Sequence, residues 1–448
     1  MQVHALRRKH LAAKMRQLGG GVAVLATAPE VIRNRDTHYP YRSDSYFHYL
    51  TGFPEPEAVM VLVADADEER SILFCRDKNE EREIWDGFRF GPTAARERFG
   101  FDEAHSIREL DERMAGVLAN RRALFHPLGS KPEADADVQR WLGAVRAQAR
   151  AGVAAPHVAF DLHGLLDEMR LIKDEHELDI MGRAAAISAQ AHRRAMQTCR
   201  PGLTEYAIEA ELLHEFRRHG SPAPAYGSIV ASGANACVLH YRDNAAPLRD
   251  GDLLLIDAGC ELEGYASDIT RTFPVNGRFS GPQRAIYDIV LAAQAAAVDA
   301  TRPGNRFIDP HDAATRVLAQ GMIDCGLLQG TLDGVLESGS YRRFYMHRTG
   351  HWLGMDVHDC GEYREPGQDA PAQGGEKPWR ILRPGMVLTI EPGLYVRAAS
   401  DLPEAFHDIG IRIEDDAVVT SEGCRLITRD VPVQADEIEA LMRDGRSG

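Results

Sequence analysis

Along the first third of the chain, short apolar runs at 22–28, 58–63 and 72–75 alternate with segments of helical period at 103–120 and 134–151. Runs of that length bounded by turn formers predict buried strands, and the longer periodic stretches predict helices, so this region reads as α/β. A passage rich in Ala and Gly at 149–157 precedes a long helical pattern starting near residue 173. That change places a domain boundary at 172 and divides the chain into 1–172 and 173–448. Downstream, helical stretches at about 174–198, 204–219, 282–301 and 310–326 come in pairs, each pair followed by strand-like runs. Thr204 before Glu205 and Asp309 before Pro310 are helix-start signals, the second putting proline where its missing N–H costs nothing. The opening MQVHALRRKHLAAKM is basic with no apolar stretch behind it, which predicts an amphipathic surface helix rather than a secretory signal.

The second region contains an internal echo. Leu248-Arg249-Asp250-Gly251 and the run to Ile256-Asp257-Ala258-Gly259 align with Leu382-Arg383-Pro384-Gly385 and the run to Ile390-Glu391-Pro392-Gly393. Leu, Arg, Gly and Ile recur in register, and an acid stands at the same place in both. A second echo, Arg200-Pro201-Gly202 and Arg302-Pro303-Gly304, ends one helix and introduces another each time. Helix, turn, helix and strand are therefore written twice.

Charge and composition narrow the class. The 448 residues carry 52 basic and 67 acidic side chains, a net charge of -15, with no local basic patch. Such a field repels phosphate backbones, so no nucleic-acid partner is expected. The longest apolar run, about 58–64, falls well short of the ~20 residues a membrane-spanning helix needs. Seven scattered cysteines with no Cys-x-x-Cys pair fit reduced thiols in a cytoplasm.

The acids at the ends of apolar runs carry the candidate chemistry. If 253–257 and 265–272 are two strands whose turn centres between Leu262 and Glu263, Asp257 and Asp268 face each other directly, with Cβ atoms about 4.5–5.5 Å apart. Two carboxylates that close repel unless a cation lies between them. Glu391 likewise ends the apolar run 387–390. In Ile409-Gly410-Ile411-Arg412-Ile413-Glu414, alternation sets Gly410, Arg412 and Glu414 on one face, where Arg412 can brace the acids. If the echo reflects two similar halves, Asp257 and Glu391 enter one central site from opposite sides.

Histidines cluster as His347, His351 and His358, flanked by Gly350 and Gly354. A lone histidine is more often a satisfied core residue, but three so close, beside glycines that permit tight backbone approach, point to a site. The spacing is not the His-Glu-x-x-His zinc pattern. His240, in Cys237-Val238-Leu239-His240-Tyr241, is a further candidate. Four carboxylates and one imidazole form a hard, oxygen-rich set that favours Mn²⁺ or a similar ion, and two divalent ions would neutralise the four acids. Two such ions about 3.5–4 Å apart can share a bridging water and lower its pKa, the chemistry of amide or ester hydrolysis.

With these residues in place, the stretch from His347 to Asp359, together with Asp257, Asp268, His351, Glu391 and Glu414, resembles the pita-bread metallopeptidases, which include aminopeptidase P, prolidase and methionine aminopeptidase. Asp36-Thr37-His38-Tyr39-Pro40-Tyr41-Arg42 and Tyr49-Leu50-Thr51-Gly52-Phe53-Pro54-Glu55-Pro56 resemble the amino-terminal domain of the bacterial aminopeptidase P branch. The resemblance implies a creatinase-like α/β domain followed by a pita-bread domain with an internal pseudo-twofold repeat, an α/β (α+β) chain. It implies two Mn²⁺ ions and removal of an amino-terminal residue that precedes proline. Asp257 and Asp268 would bind one metal, Asp268, His351 and Glu391 the other, and Glu414 would bridge. Glu391 would also shuttle a proton to the leaving nitrogen, His240 and His358 would line the proline pocket, and His347 would sit at its edge. Trp85 matches an aromatic that reaches into a neighbour's site in oligomeric relatives, implying a homo-oligomer, dimer or tetramer.

Two departures concern substrate length. Arg348 stands where the family usually has a small residue, and the segment 363–379 is longer than the usual connection, either a lid or a solvated loop. The alternatives are a prolidase, which takes only dipeptides, and a non-catalytic module that keeps the fold, although such modules generally lose ligands and all five stand here.

Overall fold

The computed structural model describes residues 2–367 and 375–446, in two compact units, Met1–Met169 and Arg170–Gly448. The part of the long segment at 368–374 lies outside the described residues. Among the described residues no helix is long and apolar enough to cross a membrane.

In the first unit a six-stranded mixed sheet runs in the order Glu103–Ser106, Glu69–Cys75, Val59–Ala64, Gly21–Ala26, Ala123–His126, Val158–Asp161. Val59–Ala64 is buried along its whole length, which is why it reads as a continuous apolar run rather than an alternation. Leu110, Met114 and Leu118 from one helix, and Val138, Trp141 and Val145 from another, close over Val22, Val24 and Val61. The helix expected over 103–120 is corrected. Residues Glu103–Ser106 pair in parallel with Ile72 to Cys75 as an edge strand, because ladder hydrogen bonds at the sheet margin outweigh a helical period. The helix proper is Leu110–Leu118.

The first helix, Gln2–Gln17, is docked rather than superficial. Leu11, Ala12 and Met15 are fully buried, and so nearly are Arg7 and Arg8. Their guanidiniums donate to the carbonyls of Tyr49 and Leu50 at the end of helix Ser45–Thr51, where orphan acceptors and the negative end of the helix dipole welcome a cation.

In the second unit the echo is structural. Helices Glu175–Thr198 and Glu205–Arg218 precede the strands Ile229–Ser232, Leu253–Asp257 and Thr270–Pro274, and helices Gly281–Ala300 and Asp309–Asp324 precede Val387–Ile390, Asp415–Val419 and Cys424–Leu426. Both Arg-Pro-Gly turns do the same job. Gly202 donates to the Leu248 carbonyl at 2.9 Å and Gly304 to the Leu382 carbonyl at 3.0 Å, with the glycines at φ 91° and 89°. The reverse bonds match too, Leu248 to Leu203 and Leu382 to Asn305, both at 2.8 Å. Each turn thus pins the start of the strand that ends in an acid, and Gly251 and Gly385, at φ 89° and 90°, turn the chain into those strands. This doubled layout is the pita-bread arrangement. One apolar core joins the two halves, with Ile256, Phe273, Tyr287, Leu388 and Ile411 all inside it.

Candidate metal centre

The hairpin register differs from expectation by two residues. Asp257 pairs with Thr270, not Asp268, and the ladder continues through Glu261 with Ala266 and Leu262 with Tyr265. The turn therefore centres on Glu263 and Gly264, whose φ angles of 50° and 84° meet the requirement of a type I′ hairpin. Because side chains alternate with period two, a shift of two leaves Asp268 on the same face as before, diagonal to Asp257. The acids still converge: the Tyr226 hydroxyl contacts Asp257 Oδ1 at 2.6 Å and also Asp268 Oδ1. Gly259 lies where a Cβ would collide with the Ser267 carbonyl, so the close crossing next to Asp268 needs glycine.

His351 arrives from the other half. Residues 349–353 run beside Val387–Ile390, with Thr389 N bonded to His351 O at 2.9 Å and Glu391 N to Thr349 O at 2.8 Å. A Cβ on Gly350 would strike the Thr389 carbonyl, which is the close approach its glycine permits. Nδ1 of His351 donates to the Trp352 carbonyl at 2.9 Å, leaving Nε2 turned toward the acids, 3.6 Å from Asp268 Oδ2 and 3.6 Å from Glu391 Oε1. Ligand atoms of Asp268, His351 and Glu414 lie within 4.8 Å of one another.

Glu414 is 2 % exposed and accepts from Thr270 Oγ1 at 2.6 Å, while Glu391 accepts from Thr389 Oγ1 at 3.2 Å. Arg412 donates to Asp257 Oδ2 at 2.6 Å, Tyr395 Oη at 3.0 Å and Thr270 Oγ1 at 3.1 Å.

The electrostatics show a shortage of positive charge. Four acids share the site with one guanidinium and one imidazole. Burial, reinforced by Asp257, raises the Asp268 carboxyl, and burial reinforced by Asp268, Glu391 and Asp257 pushes Glu414 well above the carboxylate range. Burial lifts Glu391 to about 7 although His351 and Arg412 pull the other way. Burial disfavours a charged His351, but Asp268 and Glu391 outweigh it and raise the imidazole to about 9. Acids gathered against their own repulsion, with the free imidazole nitrogen aimed among them, suit divalent cations.

The remaining histidines are at the border of this group. His347 bonds Tyr395 Oη at 2.8 Å through Nε2 and the Arg348 carbonyl at 2.7 Å through Nδ1. Since a carbonyl only accepts, Nδ1 carries the proton and Tyr395 donates to Nε2. Burial, with Arg412 nearby, lowers His347 to about 3, so it stays neutral. His358 is exposed and meets the His351 ring edge-on at 4.3 Å; burial and His351 depress its pKa. His240 is exposed on the loop after Ile229–Ser232.

Arg348 stacks its guanidinium 4.9 Å from the Trp379 ring, which also carries Arg364 at 3.5 Å. The described ends of the long segment are pinned by pairing of Arg364 with Trp379, and by Glu365 N bonding the Pro378 carbonyl at 2.9 Å. Trp85, in helix Glu80–Asp86 of the first unit, is 82 % exposed.

Sequence reasoning missed three supports. Tyr226, which ties the two aspartates, is a single tyrosine with no motif around it. Asp416 accepts from the Asp268 backbone N–H at 3.1 Å and follows Glu414 by two residues with no pattern of its own to mark it. Asp359, buried between Arg170 at 2.6 Å and Lys173 at 2.8 Å, anchors the loop of His351 and His358, and its partners are distant in sequence.

Comparison with known proteins agrees with this geometry. Residues 179–421 match "Metallopeptidase family M24" and residues 4–125 match "Aminopeptidase P, N-terminal domain". The chain is 45% identical to an Escherichia coli protein named Xaa-Pro aminopeptidase, over 97% of this chain and 96% of that one. It superposes on the aminopeptidase PepP of Pseudomonas aeruginosa with a TM-score of 0.95 and 49% identity, covering 99% of this chain and 98% of that one. A glutamate-to-alanine variant of E. coli aminopeptidase P in complex with substrate superposes equally, at 0.95 and 44% identity over 100% and 99% of the two chains. The chain therefore belongs to metallopeptidase family M24, a family of hydrolases, and carries the amino-terminal domain of aminopeptidase P.

Proposed function

We propose that this chain is an Xaa-Pro aminopeptidase, hydrolysing the bond between an amino-terminal residue and a following proline with two divalent cations, Mn²⁺ or a similar ion. The observation that carries the reading is the convergence of Asp268, His351 and Glu414, whose ligand atoms lie within 4.8 Å of one another, with Glu391 3.6 Å from His351 and Asp257 tied in through Tyr226 and Arg412. Asp257 and Asp268 would hold one ion, Asp268, His351 and Glu391 the other, with Glu414 shared. When bound, the ions supply positive charge that polarises a scissile carbonyl and acidifies water.

The chain's own groups do the rest. Glu391, which stands 3.6 Å from His351 Nε2 among the acids, takes a proton from the attacking water and returns it to the departing proline nitrogen. Arg412 keeps Asp257 ionised and oriented, and through Tyr395 it orders the neutral His347 at the edge of the pocket. His240 and His358 line the proline side and stabilise the oxyanion as it develops. A cytoplasmic setting is supported by the free state of all seven cysteines. A homo-oligomer is supported by Ile84, Trp85 and Phe88, apolar side chains 81 %, 82 % and 65 % exposed on one short stretch.

The test is a peptide panel. With Mn²⁺ the protein should cleave Xaa-Pro-Xaa tripeptides, a chelator should stop it, and restored Mn²⁺ should revive it. Cleavage of Xaa-Pro dipeptides alone would mark a prolidase instead. Failure to cleave any proline peptide after Mn²⁺ loading would sink the reading.

A further inference from the structure

Against Tyr395, whose hydroxyl bonds Arg412 and His347, lies a cavity of about 320 Å³, at the small end of the range for ligand pockets. Tyr395 is one wall, and Leu239 and Met346, each the chain neighbour of a pocket histidine, are two more. Phe344 and Leu402 complete an apolar lining. Two guanidiniums border it, in different states. Arg343 is spent in a two-pronged pair with Asp401, at 2.6 and 2.8 Å. Arg397 is exposed, and its Nε and Nη2 donate to the Cys237 carbonyl at 3.3 and 2.9 Å, which fixes the plane of the fork. Among the described residues no acidic side chain pairs with it, so Nη1 remains free for an anion.

A tripeptide substrate ends in a free carboxylate, which belongs with an unspent cation. We propose that this cavity takes the residue that follows the proline, an apolar side chain within the lining and its free carboxylate on Arg397. Arg397 thereby favours Xaa-Pro-Xaa tripeptides with an apolar third residue. The identity of the preceding residue rests on the Xaa-Pro reading, but the anion and apolar recognition do not.

The experiment titrates the Mn²⁺-loaded protein calorimetrically with Pro-Leu, Pro-Leu amide and Pro-Gly, and measures kcat and KM for Ala-Pro-Leu and its amide. The wild type should bind Pro-Leu about fivefold more tightly than its amide, the size of one charge-assisted contact at a part-exposed site. Arg397→Ala should equalise acid and amide, raising KM for Ala-Pro-Leu toward that of its amide, Arg397→Lys should restore part of the difference, and Ala399→Trp should remove the preference for Leu over Gly. An acid-to-amide ratio identical in wild type and Arg397→Ala would overturn the proposal. Discrimination of the dipeptides by a protein that leaves Ala-Pro-Leu intact would support the cavity while rejecting the peptidase reading.

Discussion

The phenol of Tyr226 bridges two carboxylates that would otherwise only repel, and burial with Asp257 and Asp268 raises its pKa far enough that it stays a donor. On the proposed ligand set Tyr226 orients two metal-binding groups, a role worth roughly 10- to 100-fold in affinity or activity. Tyr226→Phe should lower Mn²⁺ affinity and kcat/KM by about tenfold with little change in melting temperature. A second residue reports on pH. His192 is fully buried, donates Nε2 to the Ala258 carbonyl at 2.9 Å, and is driven down to about 4 chiefly by burial. Above pH 6.5 both folded and unfolded forms hold it neutral. As pH falls from 6.5 to 4 only the unfolded chain takes the proton, so stability drops across that window, by on the order of 3 kcal/mol if the whole shift is realised. His192→Gln keeps the donor and removes the titration, so its melting temperature should fall less between pH 6.5 and 4. The sequence marks neither residue: a lone buried histidine and a lone tyrosine carry no periodic signal, and their partners come from strands tens of residues away.

At the level of elements, legibility depended on whether a pattern was local. The acids at the ends of Leu253–Asp257 and Val387–Ile390 were readable because burial of a strand and the acid terminating it are written in consecutive residues. The partner of Asp257 was not, because choosing between two hairpin centres needs the φ angles of Glu263 and Gly264 rather than the apolar pattern. The mistaken helix at 103–106 has a similar origin, since an edge strand is defined by its neighbour. The loop of His351 and His358 depends on a buried ion cluster in which burial opposes ionisation of Asp359, yet Lys173 and Arg170 hold its carboxyl below the usual range. Removing one member of such a cluster leaves charge stranded in the interior, at about 3–5 kcal/mol. Asp359→Ala should therefore lower the unfolding free energy by that amount in urea titration; a loss under about 1 kcal/mol would show that the ions contribute little.

For the whole molecule, the doubled plan was legible as an echo in sequence, and the matched bonds of Gly202 with Leu248 and Gly304 with Leu382 show why the short Arg-Pro-Gly repeat was not coincidence. Binding of cations to a folded centre and not to the open chain also couples loading to stability. Mn²⁺ at a hundredfold over its dissociation constant should add about 2.7 kcal/mol, read as a rise in melting temperature that a chelator reverses. The same plan has a consequence for the integrity of the polypeptide. On the proposed ligand set, Asp257 and Asp268 come from one repeat and His351, Glu391 and Glu414 from the other, so neither half would be a smaller enzyme. A single proteolytic nick followed by separation of the pieces would silence both fragments at once, however well each kept its helices, and only their reunion would bring turnover back.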